Sequence, residues 1–257
     1  MKGNNMRKKL SIGIIAILIL TIVLGFTFKT DGSGWSEQVI MSDTEVETNV
    51  YHFDTGLPGK TIVVVGGIHG DETAGFKAAE SLKNEAELLI EAGDIYFIPR
   101  ANQLATELDL RYPKHLMDLN RAFDGEGESD LTLQLASEIK EMISSTNPDF
   151  VIDHHESRDS YKNGRLGNTL IVADYNDNLF EGLTMIDLIN PKLDQNEAFI
   201  LESSPPVGSI NDTLSSENLL VVTIETNRKL PLEKRVEEQR IIAKTLIEYY
   251  SNGVNEK

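Results

Sequence analysis

Three short stretches carry the side chains from which a reaction could be built. His69, Gly70, Asp71 and Glu72 follow an apolar run at residues 61–65. In a turn entering a helix, His69 and Glu72 can point to one side, as two ligands of one metal ion must. The same residues also suit a plain helix cap, where acidic groups favour the positive end of the dipole. A second run, residues 149–153, leads into His154 and His155. Side chains alternate along a strand, so Asp153 and His155 share one face and His154 takes the other. Only one of the two histidines can then join His69. His155 is the choice, because Asp153 is a natural outer partner for a ligating imidazole. His154 reads as an ordinary hydrogen-bonded histidine. Glu225 ends a third run, residues 219–224. Beside a metal, a glutamate can take a proton from attacking water and return it to a leaving nitrogen. Taken alone, it is an ordinary solvated strand end.

Between these stretches lie Arg111 and the segment Asp118, Leu119, Asn120, Arg121, Ala122 and Phe123, which follows neither helical nor strand periodicity. Two arginines and an amide offer donors for a developing oxyanion and for a substrate carboxylate, which arginine grips with two parallel bonds. Singly, each arginine reads as surface charge. There is no cysteine, so a metal site here must use imidazole and carboxylate, and neither disulfides nor thiols contribute.

The elements that must position these groups alternate between short β-branched runs and longer segments of helical period. Strands are predicted at residues 61–65, 94–98, 149–153, 168–173 and 219–224, and helices at about 73–92, 131–144 and 232–250. In the second helix Leu131, Leu135, Ile139 and Met142 fall on one side. This pattern indicates an α/β fold, a mixed and largely parallel sheet sandwiched by helices. Ligands on such sheets sit outside the carboxyl ends of the strands, and all three chemical stretches follow strands. Pro205, Pro206, Val207 and Gly208 form a turn that is a candidate for the site's rim.

At the N-terminus, Lys2, Arg7, Lys8 and Lys9 precede an uncharged run at residues 10–28. A helix of about 20 apolar residues crosses a bilayer, and the run exceeds the roughly 7–15 residues of a signal-peptide core. With no small-x-small cleavage site after Gly25, residues 1–30 read as a cytoplasmic tip and transmembrane anchor. Basic residues stay inside, which places the rest of the chain outside the cell membrane; cleavage of the segment would secrete it. Residues 31–45 read as a polar linker and residues 46–252 as one catalytic domain. The chain holds 24 Lys+Arg against 41 Asp+Glu, a net charge of −17, and no acidic residue lies in the first thirty. That charge repels phosphate backbones and argues against nucleic-acid binding.

Taken in order, His69-Gly-Asp-Glu72, Arg111, Asp118-Leu-Asn120-Arg121-Ala-Phe123, Asp153-His-His155 and Thr223-Ile-Glu225 resemble the zinc carboxypeptidase superfamily. Within it, the chain is most similar to the succinylglutamate desuccinylase and aspartoacylase branch, over roughly residues 48–250. The resemblance implies one zinc ion per chain bound by His69, Glu72 and His155. It implies that Arg111 stabilises the oxyanion, that Asn120 and Arg121 bind the substrate's free carboxylate, and that Glu225 is the general acid/base. It also implies a mixed eight-stranded sheet between helices. There are two departures. Branch members commonly carry a C-terminal β domain over the site, whereas this chain ends soon after its last predicted helix. They also usually have an apolar residue where His154 stands.

Three functions follow as expectations. One is a deacylase releasing an amino acid from an N-acyl amino acid, favoured by the Asp118–Phe123 segment. Another is a metallocarboxypeptidase acting on peptides, including cell-wall stem peptides, favoured by the extracytoplasmic placement. The last, a non-catalytic membrane-anchored binding protein, would be expected to have lost a ligand or the base, and here every role in the site can be filled.

Overall fold

The computed structural model describes residues 29–30, 34–127, 129–159, 166–176 and 178–251. The predicted membrane span at residues 10–28 lies outside them. Among the described residues no helix is long and apolar enough to cross a membrane.

The apolar runs become the centre of the sheet. β1 (Lys29–Thr30), β2 (Trp35–Ile40), β3 (Thr48–Asp54), β4 (Thr61–Gly66), β5 (Asp94–Ile98), β6 (Phe150–Ser157), β7 (Thr169–Ile171), β8 (Ile200–Glu202) and β9 (Val221–Asn227) form one sheet. Their order is β1-β2-β3-β5-β4-β6-β9-β7-β8. The four central strands β5, β4, β6 and β9 run parallel. The joins β1–β2, β2–β3, β3–β5 and β7–β9 are antiparallel, and the edge pair β7–β8 is parallel, so the sheet is mixed.

The helices cover both faces: α1 (Thr73–Lys83), α2 (Gln103–Leu108), α3 (Leu131–Ser145), α4 (Asn178–Ile189), α5 (Ile210–Ser216) and α6 (Leu232–Ser251). Strand alternation divides the interior in two. Ile62 and Val64 of β4, Ile152 of β6 and Ile224 of β9 face a core built with Leu82 of α1, Met185 of α4 and Leu246 of α6. Val63, Val65, Val151 and Val221 face the other, with Leu135 and Ile139 of α3 and Leu214 of α5. Central parallel strands buried on both faces are expected to be continuously apolar. Each such Val, Ile or Leu contributes about 1.5–3 kcal/mol through burial.

Residues 35–40 correct one expectation. They do not form a linker but pair with residues 48–53 of β3. Their polar look follows from one-sided burial, with Ser36 and Ile40 turned inward and Glu37 exposed. The first long helix also ends early: it stops at Lys83, where Asn84 accepts the cap position, and a 3-10 turn at Ala86–Leu88 follows.

One buried acid sits away from the central strands. Glu238 of α6 is 5% exposed and 3.9 Å from Lys234. Burial, with Glu197 and Asp194 nearby, pushes its carboxyl from an ordinary 4.5 up to about 7. Between those values the folded chain holds a proton that the unfolded chain has released, so this residue's contribution to stability falls as pH rises through that window. Glu238→Gln should therefore be more stable than wild type at pH 8, by on the order of 1–3 kcal/mol, with the difference shrinking toward pH 4.5. Thermal melts across that range measure it, and a difference independent of pH would contradict it.

Candidate active site

The turn after β4 is built for close approach. Gly67 has a φ of 69°, a conformation that favours glycine. A Cβ on Gly70 would lie 2.0 Å from the Ala105 backbone. With the turn drawn in this tightly, His69 and Glu72 converge: His69 Nδ1 is 2.9 Å from Glu72 Oε1. Glu72 stands at the N-cap position of α1 yet makes no side-chain cap bond. The helix end is served instead by Glu156, whose carboxylate accepts from Ala74 N at 2.9 Å. Glu72 therefore makes no cap bond, and its carboxylate faces His69 and His155 instead.

β6 delivers the third member. His155 Nδ1 lies 2.7 Å from Glu72 Oε2 and 3.2 Å from His69 Nδ1. Candidate ligand atoms of His69, Glu72 and His155 all lie within 4.8 Å of one another. A carboxylate stands behind each outer nitrogen: His69 Nε2 is hydrogen-bonded to Asp118 Oδ1 at 2.9 Å, and His155 Nε2 lies 3.1 Å from Asp153 Oδ2 as an ion pair without hydrogen-bond geometry. Carboxylates behind ligating imidazoles fix ring orientation and tautomer, so the two Nδ1 atoms are turned toward each other and toward Glu72. Two imidazoles and one carboxylate, inward-facing and backed in this way, fit a tetrahedral zinc ion with its fourth position open.

Electrostatics follow the same arrangement. Burial opposes charge on Glu72, but His69 and His155 override it and hold its carboxyl well below the usual range. Burial likewise works against a charged His155, and Asp153 and Glu72 reverse it, holding this imidazole well above its ordinary value. Asp118 resists burial through His69 and Arg111 and also titrates low. His154 is on the far face, hydrogen-bonded to Gln239, and burial pushes it down to about 4.

Glu225 reaches the cluster by register, since β6 and β9 pair His155 directly with Glu225. Burial, with Glu72 and Asp153 adding to it, pushes its carboxyl up to about 8. Arg111 donates to Asp118 Oδ2 at 3.1 Å and to Glu72 Oε1 at 3.3 Å. Asp118 also caps the turn at Leu119–Arg121, accepting from Asn120 N, which ties the arginine-rich loop to the His69 side chain.

All seven residues singled out in the sequence, His69, Glu72, Arg111, Asn120, Arg121, His155 and Glu225, line one cleft of about 330 Å³. Glu156, Ser157, Arg158, Leu166 and Pro206 complete its wall. Of the Pro205–Gly208 turn, Pro206 is at the rim. Sequence reasoning missed Asp118 as the partner of His69 and Glu156 as the helix cap. The first was legible only as an acidic residue two positions before Asn120; the second follows His155 directly but bonds across the fold. Another concavity, of about 270 Å³, borders Tyr51, Glu80, Lys83 and Arg100. There Arg100 pairs with Glu80 at 2.6 Å and Lys83 lies 4.1 Å over the Tyr51 ring, so its charges engage one another.

A mixed sheet carrying such a cluster beyond its parallel strand ends has the arrangement of zinc carboxypeptidase-like proteins. The model of the succinylglutamate desuccinylase/aspartoacylase catalytic domain matches residues 58–241, and the chain belongs to that family. A search of curated proteins finds no match. Among solved structures, the product-bound cell shape determinant protein Csd4 from Helicobacter pylori is similar, with 20% identity and a TM-score of 0.69, over 79% of this chain and 55% of that one. A succinylglutamate desuccinylase from Silicibacter sp. gives 16% identity and a TM-score of 0.66, over 84% of this chain and 66% of that one. An aspartoacylase family protein from Mesorhizobium loti gives 20% identity and a TM-score of 0.66, over 84% and 69%. At these identities the likeness is one of fold. The chain spans about 55% of the length of Csd4.

Proposed function

We propose that this protein is a zinc-dependent hydrolase that cleaves an amide bond in a carboxylate-bearing substrate, acting as a deacylase on N-acyl amino acids. The observation that carries the reading is the inward-facing His69, Glu72 and His155 set with carboxylates behind both imidazoles. Zinc at this position would supply Lewis acidity, polarising a carbonyl and acidifying water. The chain's own residues do the remainder. Glu225 takes the proton of the attacking water and delivers it to the leaving nitrogen. Arg111 donates to the charge that develops on the carbonyl oxygen, a role that by comparison with other oxyanion donors is worth about a hundredfold or more in turnover. Asn120 Oδ1 is buried without a hydrogen-bond partner among the described residues, and with Arg121 it borders the cleft where a substrate carboxylate would be gripped.

A second reading, a carboxypeptidase acting on peptides, is supported by the fold likeness to Csd4, described as a D,L-carboxypeptidase in its mDAP-bound form. A third, non-catalytic binding, gains nothing from the site, since no ligand or base is missing. An anchor at residues 10–28 would hold the domain on the outer side of the cell membrane, where either amide substrate is reachable.

The test is zinc content after metal supply, followed by turnover on a panel of N-acyl amino acids and of peptides with a free C-terminal carboxylate. About one zinc per chain with release of amino acid from the acyl substrates is expected. Release of a C-terminal residue from peptides alone would move the reading to the carboxypeptidase, and failure to bind zinc would move it to the binding protein.

A further inference from the structure

His154 is a fully buried histidine on the face of β6 opposite His155, and its partner does more than satisfy it. Gln239 of α6 is fully buried, at 0% exposure. Its Oε1 is 2.6 Å from His154 Nδ1. Its Nε2 donates to His155 O at 2.9 Å and to Thr226 Oγ1 at 2.8 Å. One amide therefore touches both strands of the site from the far face of the sheet. His154 and His155 belong to β6 and Thr226 to β9, where the register pairs His155 with Glu225 and Glu156 with Thr226.

The placement matters because β6 is losing a neighbour there. β4 runs beside it only as far as His154, and residues 155–157 pair with β9 alone. The carbonyl of His155 is held by Gln239 at the point where β4 has ended. On the same face α1 leaves no slack, since a Cβ on Gly75 would lie 2.8 Å from His154 O.

We propose that Gln239 is a positioning residue of the hydrolytic site, its amide fixing the spacing between the strand that carries His155 and the strand that carries Glu225. The claim rests on the zinc-hydrolase reading. The competing account is that Gln239 merely gives a buried histidine a partner. Under that account, replacing both residues by apolar ones removes both partners of the His154–Gln239 bond together, and the acceptors it leaves unpaired, His155 O and Thr226 Oγ1, should lower the thermal midpoint while zinc affinity and kcat hold.

The experiment compares wild type, His154→Leu/Gln239→Leu and Thr226→Val, reading thermal midpoint, zinc affinity by chelator competition, and kcat and KM separately. In the folded double variant, zinc affinity is expected to fall about tenfold, as for other partners behind metal ligands, and kcat about a hundredfold with KM little changed, as for small misplacement of a reacting group. Thr226→Val releases only the β9 side, so zinc affinity should hold while kcat falls about tenfold. A folded double variant with zinc affinity and kcat within twofold of wild type overturns the positioning role. If the double variant does not fold, Thr226→Val decides alone, and unchanged kcat there overturns it. Wild type that binds no zinc overturns the hydrolase reading and the positioning role with it, which keeps the two failures distinct.

Discussion

Glu225→Gln is expected to bind zinc and substrate as wild type does while losing about 10²–10⁴-fold in kcat, the range over which a positioned acid/base contributes. The side chain borders the cleft and is set by strand register opposite His155. Burial makes its carboxyl a stronger base than a solvated one, with a pKa raised to about 8, and a bound dication would draw that value back toward neutrality. A base poised there can both accept a proton from water and surrender it to a leaving nitrogen. Glutamine keeps the size and shape and loses only the ability to hold the proton, so zinc content and KM serve as internal controls. Steady-state kinetics beside elemental analysis make the measurement. Turnover within threefold of wild type would remove Glu225 from the mechanism.

That glutamate was legible in the sequence because it ends an apolar run, and the same holds for His69 and His155. Central strands are continuous β-branched stretches, so the polar residues that end them stand out and mark the carboxyl edge of the sheet. What the runs did not show is where each strand stops. β6 extends to Ser157 with every residue buried, although Asp153, His154, His155 and Glu156 break its apolar pattern. It persists because β9 pairs with it along that whole stretch. The flanking strands were harder for the opposite reason. β3 does not keep a clean period of two, with Val50 and Phe53 buried on opposite faces of the sheet and Tyr51 and His52 only partly buried. β2 is similar, and its surroundings contain the turn-forming residues of a linker. α4 was missed because its exposed face carries Phe180 and Leu183, which blurs the period that marks an amphipathic helix.

The network behind the site shows the same limit more sharply. Asp153 could be assigned to His155 because strand alternation puts both on one face. Asp118 meets His69, 49 positions away, and Gln239 meets His154, 85 positions away. Pairings over such separations are set by how helices and loops pack on the sheet, and no local pattern encodes them. The departure at His154 was visible as an anomaly, and only the fold supplies its partner.

His155→Ala should lose both stoichiometric zinc and the response of the melt to zinc. At the proposed site zinc would bind the folded chain of wild type and not the unfolded one, so a free concentration a hundredfold above the dissociation constant would add about 2.7 kcal/mol, or roughly 5–10 °C in the midpoint for a domain of this size. The variant should also melt lower than wild type without zinc. His155 is 2% exposed and Asp153 1%, and in the metal-free cluster its imidazole is the partner of Asp153 at 3.1 Å and of Glu72 at 2.7 Å. Removing it leaves two buried carboxylates short of a counter-charge, which costs about 3 kcal/mol or more. Melts of both proteins with chelator and with zinc separate the two effects, because the first difference needs the metal and the second does not. A zinc-dependent rise in the variant equal to that of wild type would mean that the ion sits elsewhere and that His155 is part of the packing alone.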